Sequence, residues 1–120
     1  MEFNFDNNTP IYIQLVEQLK LHIISGRLSP GNRLPSVREL ALATKVNPNT
    51  MQKALAELEE TGLIYTERTN GKYVTKDTKL IGRHRADYAR EITEKYLSAM
   101  ENIGISHSDA EKYLRGEVNL

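Results

Sequence analysis

The sequence predicts a mainly α-helical chain with one small β-hairpin, divided into a domain over residues 1–76 and a helical segment over residues 77–120. Three observations lead to this prediction. Apolar residues recur at helical spacing in several separate stretches, an Asn-Gly pair separates two β-prone runs near residue 70, and a long amphipathic stretch follows them. The expected order is three helices, a hairpin and two further helices.

The first helix is expected to begin at Thr9-Pro10, with Thr9 as the N-cap and Pro10 as the first helical residue, where a missing N–H costs nothing. Gly26 is placed to end this helix in a left-handed conformation. Pro30-Gly31 then marks a turn. The apolar stripe of the helix consists of Tyr12, Leu15, Val16, Leu19 and Ile23.

Two short helices joined by a tight turn are expected next. Ser36 and Glu39 form a capping box at the start of the second helix, and Asn47-Pro48 repeats the cap-plus-proline pattern at the start of the third. Gly62 is placed to stop the third helix. The residues expected to be buried are Val37, Leu40 and Ala41 in the second helix, and Met51, Ala54, Leu55 and Leu58 in the third.

The hairpin is expected over residues 63–75, with Asn70-Gly71 as a turn in which both residues have positive φ. A helical stripe returns from about Lys79 and ends at Gly104. Ser106 or Ser108 caps a last short helix, with Ser108 and Glu111 as a second capping box. The stripe of the long helix consists of Ile81, Tyr88, Ala89, Ile92, Tyr96, Ala99, Met100 and Ile103.

Composition excludes several classes of protein. The chain has no cysteine, no visible signal peptide and no apolar run long enough to span a membrane, which predicts a cytoplasmic protein without a membrane partner. It also lacks a Gly-rich phosphate loop, a metal-spaced histidine pair and a Gly-x-Ser-x-Gly elbow. We therefore predict no enzyme activity, no catalytic residue, no metal site and no cofactor.

Charge is unevenly distributed along the chain. The net charge is zero, from 16 basic and 16 acidic residues, which by itself does not favour a nucleic-acid partner. Between Ser25 and Leu55, however, five basic residues stand with the single acid Glu39. Because phosphate binding depends on the charge near the docking face, this local excess is compatible with DNA binding.

A tight pair of helices followed by a hairpin is a winged helix-turn-helix, which predicts binding of double-stranded DNA. The third helix would enter the major groove with its N-terminal residues facing the bases, and the start of the second helix would face a phosphate. The candidate DNA-contacting residues are Ser36, Arg38, Asn47, Asn49, Thr50, Gln52, Lys53 and Lys72.

Each candidate also has an alternative interpretation. Ser36 and Asn47 cap helices whatever the function, and Arg38 can pair with Glu39 or a neighbouring helix. The whole domain can also be a winged-helix module that binds a protein and not DNA. That alternative requires an apolar or acidic third helix, whereas this helix begins with amides and Lys53.

Several motifs in a fixed order resemble the N-terminal DNA-binding domain of GntR-family regulators over about residues 9–75. They are PIYIQL, GRLSPG, LPSVRELA and VNPNTM. The NPNT sequence and a tail of only about 45 residues resemble the YtrA subfamily, whose members dimerise through a short two-helix segment. The resemblance implies DNA contacts by Arg38, Asn49, Thr50, Gln52 and the wing residue Gly71, although Thr69 stands where the family often has a first wing glycine.

The resemblance further implies a homodimeric repressor on an inverted-repeat operator, controlling a transporter operon. The tail supports a homodimer independently, because a small domain cannot bury so long an apolar stripe by itself. An unidentified small-molecule effector is a further implied partner, at the dimer seam or the hinge over residues 76–80. The predicted dimer contacts are Tyr88, Ile92, Tyr96, Met100 and Ile103.

Overall fold

A computed structural model describes residues 1–118 and contains, within them, five α-helices and one two-stranded antiparallel sheet. The predicted mainly α fold with a winged helix-turn-helix order is confirmed. Contacts divide the chain into two compact units, Met1–His84 and a second that begins at Arg85. The proposed domain boundary after residue 76 stays a prediction. The elements are α1 (Ile11–Ile24), α2 (Val37–Thr44), α3 (Pro48–Glu60), β1 (Ile64–Glu67), β2 (Gly71–Val74), α4 (Thr78–Asn102) and α5 (His107–Leu114).

Helix α3 lies at the centre of the first unit and packs against α1, α2 and β1. The predicted buried stripe of α3 is confirmed, and it forms the core together with buried apolar residues of the other elements. These contacts bury one face of α3 in the core. They therefore also fix the direction in which the opposite, exposed face of α3 points. The fully buried large side chains of the core are Leu15, Leu19, Ile23, Met51, Leu55, Leu58, Leu63, Ile64 and Val74.

The caps of α2 and α3 agree with the prediction. The Ser36 Oγ accepts the Glu39 N–H at 3.0 Å, while the Glu39 carboxylate accepts the Ser36 N–H at 3.3 Å. Asn47 caps α3 by accepting the Asn49 N–H at 2.8 Å, with Pro48 as the next residue. One detail of α2 is different, because Val37 is half-buried and not buried.

The predicted start of α1 is wrong by one residue. Pro10 is the N-cap, no side chain caps the helix, and the Pro10 carbonyl accepts the N–H groups of Ile13 and Gln14. The Thr9 carbonyl instead accepts a hydrogen bond of 2.8 Å from the Gln14 side-chain amide. Thr9 is therefore part of the chain segment that precedes the helix and is bound against it.

The predicted two-residue turn at Asn70-Gly71 is also wrong. Gly71 pairs with Glu67, so the loop contains the three residues 68–70, and the Asn70 N–H donates to the Glu67 carbonyl at 3.2 Å. Gly71 has a φ of +104°, whereas Asn70 does not have positive φ. The register places buried Ile64 opposite buried Val74, and this pairing leaves one residue more in the loop than the Asn-Gly signal suggests.

Helix α5 is capped by Ser106, which confirms one of the two predicted caps, whereas the predicted Ser108–Glu111 capping box is wrong. The Ser106 Oγ accepts the Asp109 N–H at 3.2 Å. This start places Ala110 on the inner face of α5, where it is fully buried. The Tyr96 hydroxyl of α4 donates to the Ala110 carbonyl at 2.8 Å and joins the two helices of the second unit.

A ladder of side chains, which the sequence analysis did not predict, binds the N-terminal segment to α1. Three side chains four residues apart on α1 bind the main chain at alternate residues of the segment: Gln14 binds Asp6, Gln18 binds Asn4 and His22 binds Glu2. Each glutamine both donates and accepts, as a neighbouring strand would. The segment is thus held by main-chain hydrogen bonds that depend little on its own sequence.

The last rung of this ladder is titratable. His22 is only 4% exposed, its Nε2 lies 3.1 Å from the Glu2 carbonyl oxygen, and Phe3 packs edge-on against its ring. Its Nδ1 is buried without a hydrogen-bond partner within residues 1–118. Burial lowers the pKa of His22, and the nearby charges of Arg27 and the N-terminus lower it further, against the raising effect of the Glu2 hydrogen bond.

We expect the thermal stability of the protein to fall as the pH drops below about 6.5, with a contribution from His22 that a His22→Gln variant lacks. The folded imidazole takes up its proton at a lower pH than the unfolded one, whose ordinary pKa is near 6.5, so acid favours the unfolded chain. Glutamine can still donate to the Glu2 carbonyl but does not titrate. Melting temperatures of both proteins between about pH 7.5 and 5.5 test this, and identical pH dependence would contradict it.

Candidate nucleic-acid interface

The exposed face of α3 carries the amides that the sequence analysis singled out. Asn49, Gln52 and Lys53 are exposed and follow one another at helical spacing, opposite the buried stripe. Thr50 is half-buried beside them, and Asn47 is exposed but engaged in its cap. The structure therefore brings together at one helix end the hydrogen-bonding groups that suit the edges of bases.

Lys53 has a contact that the sequence analysis missed. Its Nζ lies 4.0 Å from the centre of the Tyr12 ring, so a cation–π interaction links the exposed start of α3 to α1.

The second half of the exposed face of α3 presents Ala56, Glu57 and Glu60. Because carboxylates repel phosphates, the charge pattern confines an anionic partner to the first half of α3.

Arg38 is the second residue of α2 and is exposed. The alternative pairing with Glu39 is not present, and the Glu39 carboxylate instead binds the Ser36 N–H in the capping box. No ion pair or hydrogen bond engages the Arg38 guanidinium within residues 1–118. Its donors are thus available beside the capped start of α2, where Ser36 marks the positive end of the helix dipole.

Lys72 lies on the wing, the hairpin formed by β1 and β2, and its side chain is bound by other residues of the protein. Its Nζ lies 2.9 Å from a Glu59 carboxylate oxygen and 2.8 Å from the Thr66 hydroxyl, which joins α3 to both strands. Hydrogen bonds from Thr66 and Lys72 lower the pKa of Glu59. The charge of Lys72 is therefore largely balanced by Glu59 in the free protein, and the wing is tied to α3.

A third extended segment, residues 31–34, pairs with the wing through backbone hydrogen bonds. The N–H groups of Gly31 and Leu34 donate to the carbonyls of Val74 and Lys72, and the Val74 N–H donates to the Asn32 carbonyl. This pairing lays residues 31–34 along β2. Sequence analysis did not find this extended segment, although a residue before proline, such as Leu34, is biased towards an extended backbone.

A cleft of about 320 Å³ lies between α2, α3 and the wing. Residues from all three elements line it, so the cleft brings together four of the candidates of the sequence analysis, while Arg38, Asn47, Asn49, Thr50 and Lys53 lie outside its lining. Ser36, Gln52, Gly71 and Lys72 are among the lining residues, and Arg33 joins them from the extended segment. The opening thus combines a helix N-terminus, an amide and two cationic side chains, a combination suited to an anionic chain.

Four of the predicted dimer contacts, Tyr88, Ile92, Tyr96 and Met100, recur every four residues along α4, and Ile103 follows in the turn directly after the helix. Ile92 is 53% exposed and Ile103 is 71% exposed, whereas Tyr88, Tyr96 and Met100 are half-buried. Of the described residues of α4, only Ile81 is buried, and it belongs to the first unit. The second unit therefore leaves an apolar face open to solvent in the isolated chain.

No helix over residues 1–118 is both long enough and apolar enough to cross a membrane. In the same range, no group of three or more acidic or histidine side chains is arranged to hold a metal ion.

Comparison with known proteins identifies the family. Residues 11–74 match the bacterial regulatory proteins of the gntR family. The chain belongs to the GntR family. Over 73 residues it is 47% identical to the HTH-type transcriptional repressor YtrA of Bacillus subtilis, covering 61% of this chain and 56% of YtrA. This agrees with the resemblance to GntR and YtrA proteins noted from the sequence motifs.

Solved GntR-type structures share the fold. A GntR family transcriptional regulator from Listeria monocytogenes matches with a TM-score of 0.86 at 42% identity, over 96% of this chain and 100% of that one. The AraR DNA-binding domain in complex with operator ORX1 matches with a TM-score of 0.57 at 28% identity, over 62% of this chain and 96% of that one. This GntR chain is therefore a transcriptional regulator with a helix-turn-helix DNA-binding domain, and not an enzyme.

Proposed function

We propose that this GntR regulator is a homodimeric repressor that binds an inverted-repeat operator. The observation that carries the proposal is the exposed start of α3, where Asn49, Gln52 and Lys53 face outwards, together with the exposed and unpaired Arg38 of α2. Bidentate hydrogen bonds from such amide and guanidinium groups distinguish adenine and guanine in the major groove. The operator-bound structure of the AraR domain supports the same use of the domain here.

The apolar face of α4 supports the dimer. Two large aliphatic side chains, Ile92 and Ile103, are more than half exposed, and α5 adds Tyr113 and Leu114 at 43% and 71% exposure. An exposed stripe of this kind on a helix is typical of a self-association surface. A twofold dimer would present two α3 helices to half-sites about one DNA turn apart, and this accounts for an inverted repeat.

Repression, rather than activation, is proposed from the similarity to the repressor YtrA. Control of a transporter operon rests on the YtrA-type resemblance alone, and access to the chromosome implies that the protein works in the cytoplasm. A small-molecule effector would act by changing the separation of the two α3 helices. Its site is proposed at the dimer seam or near residues 76–80.

The first test is selection of bound sequences from random duplex DNA by the full-length protein at two salt concentrations. Enrichment of an inverted repeat, with affinity that falls steeply with salt, would support the proposal. A failure to enrich any sequence would instead favour the alternative, a winged-helix module that binds another protein. A reporter gene placed behind the selected operator then distinguishes repression from activation.

Substitutions on α3 test the assignment of its exposed face. Gln52→Ala should weaken operator binding by about 1–3 kcal/mol and relax the preference at one base position. Lys53→Ala should weaken all sequences alike and lower the salt slope by about 1, if its ammonium leaves Tyr12 for a phosphate. Arg27→Ala, the same charge change at an exposed position outside both α3 and the cleft, is the control. If both α3 variants bound the operator with wild-type affinity, the exposed face of α3 would have no part in recognition.

A further inference from the structure

One cationic side chain in the cleft between α2, α3 and the wing, that of Arg33, has no role yet in the proposed DNA binding. Lys72 and Arg33 are the two basic residues that line this cleft. Lys72 is bound to Glu59 and Thr66. Arg33 is exposed, and within residues 1–118 no acidic side chain lies close enough to form an ion pair with it. Arg33 therefore contributes the uncompensated positive charge of the cleft.

The backbone of Arg33 is held in place by the wing. Arg33 pairs with Tyr73 in an antiparallel bridge, and the next residue, Leu34, is buried and donates its N–H to the Lys72 carbonyl at 2.8 Å. Because of this pairing with β2, Arg33 lies at the edge of a small sheet. Its side chain therefore starts from a rigid support, and little backbone freedom is lost when it binds a ligand.

The guanidinium of Arg33 lies over the wing glycine. A Cβ atom added to Gly71 would stand 3.5 Å from the Nε and Nη2 atoms of Arg33, so the guanidinium is packed against the bare backbone of the turn. Gly71 also has a φ of +104°, which favours glycine there. The planar donors of Arg33 thus line the cleft together with Ser36, which caps the start of α2.

We propose that Arg33 binds a phosphate of the DNA backbone in the cleft between α2 and the wing. This inference rests on the proposed DNA binding and adds a positioning residue to it. A guanidinium can donate two parallel hydrogen bonds to a phosphate, and the α2 N-terminus adds a favourable dipole. Contacts of this kind set the register of the protein on DNA without reading its sequence. They would place the wing on the backbone whichever operator the third helix selects.

The test compares Arg33→Gln with the wild-type protein on its selected operator and on an unrelated duplex, at several salt concentrations. The expected result is about a ten-fold loss of affinity on both duplexes at low salt. The slope of affinity against salt should fall by about 1, because one phosphate contact is lost. Arg33→Lys should restore most of the slope, because it keeps the charge, while recovering only part of the affinity.

Arg27→Gln is the matched control, since it removes an exposed arginine of the same unit that lies outside this cleft and donates to Ser25. An unchanged salt slope and affinity in Arg33→Gln would overturn the inference while leaving the proposed function intact. Loss on the operator alone would also overturn it, because it would indicate a base contact. Absence of salt-dependent DNA binding by the wild-type protein would overturn both. Equal melting temperatures of the variants exclude a folding defect.

Discussion

Replacing Ile92 and Ile103 together with aspartate should convert the protein to a monomer and lower its operator affinity by about a hundred-fold or more. Both side chains are more than half exposed in the isolated chain, at 53% and 71%, so the substitutions remove little packing within the protomer. In the proposed dimer they would bury four unpaired carboxylates against an apolar partner surface, which is strongly unfavourable. Each monomer would then bind a half-site alone and lose the advantage of a tethered second contact.

Light scattering gives the mass of the variant in solution, and titration of the selected operator gives its affinity. The matched control is Ser98→Asp, which places a carboxylate at an exposed position of α4 away from the predicted stripe. It should remain dimeric and bind the operator as the wild-type protein does. A double variant that is still dimeric would show that α4 does not form the interface through this face.

Leu55→Ala should lower the free energy of unfolding by about 2–5 kcal/mol, the cost of a cavity in a well-packed core. Leu55 is 1% exposed and belongs to the stripe of α3 that meets the other elements of the first unit. The opposite face of the same helix carries the candidate base contacts, so the substitution should also weaken operator binding at temperatures where the wild-type protein still binds. Core packing and recognition thus depend on one helix.

Urea unfolding followed by circular dichroism, at one fixed protein concentration, measures the effect of Leu55→Ala. The concentration is held constant because association stabilises a dimer. Glu57→Ala, an exposed substitution two residues along the helix, should change stability by no more than about 0.5 kcal/mol. A loss below about 1 kcal/mol for Leu55→Ala would contradict the central position of α3 in the core.

Most local features of this protein could be predicted from neighbouring residues. The Ser36–Glu39 capping box, the Asn47 cap and the buried stripe of α3 all agree with the structure. Each depends on groups within about one or two helical turns, where spacing alone decides which atoms meet. The same holds for the exposed start of α3, because a buried stripe at helical spacing leaves a defined opposite face.

Some local signals were nevertheless overruled. Asn70-Gly71 is a strong turn signal, but the pairing of buried Ile64 with Val74 set a register with a three-residue loop. Ser108 and Glu111 have capping-box spacing, but α5 begins earlier and buries Ala110. In the hairpin, burial of apolar side chains on one face of the strands specifies the register. In α5, Ser106 supplies an equivalent capping hydrogen bond, so the earlier start loses no cap.

The order of the helices, the caps of α2 and α3, the presence of the hairpin and the GntR resemblance were determined by the sequence itself, since they follow from local spacing and residue type. Only the tertiary structure decided which distant groups meet. It paired Lys72 with Glu59 on α3, laid Arg33 beside Gly71, and bound the N-terminal segment to Gln14, Gln18 and His22. These contacts depend on how buried faces orient whole elements, and no short-range pattern in the chain encodes that orientation.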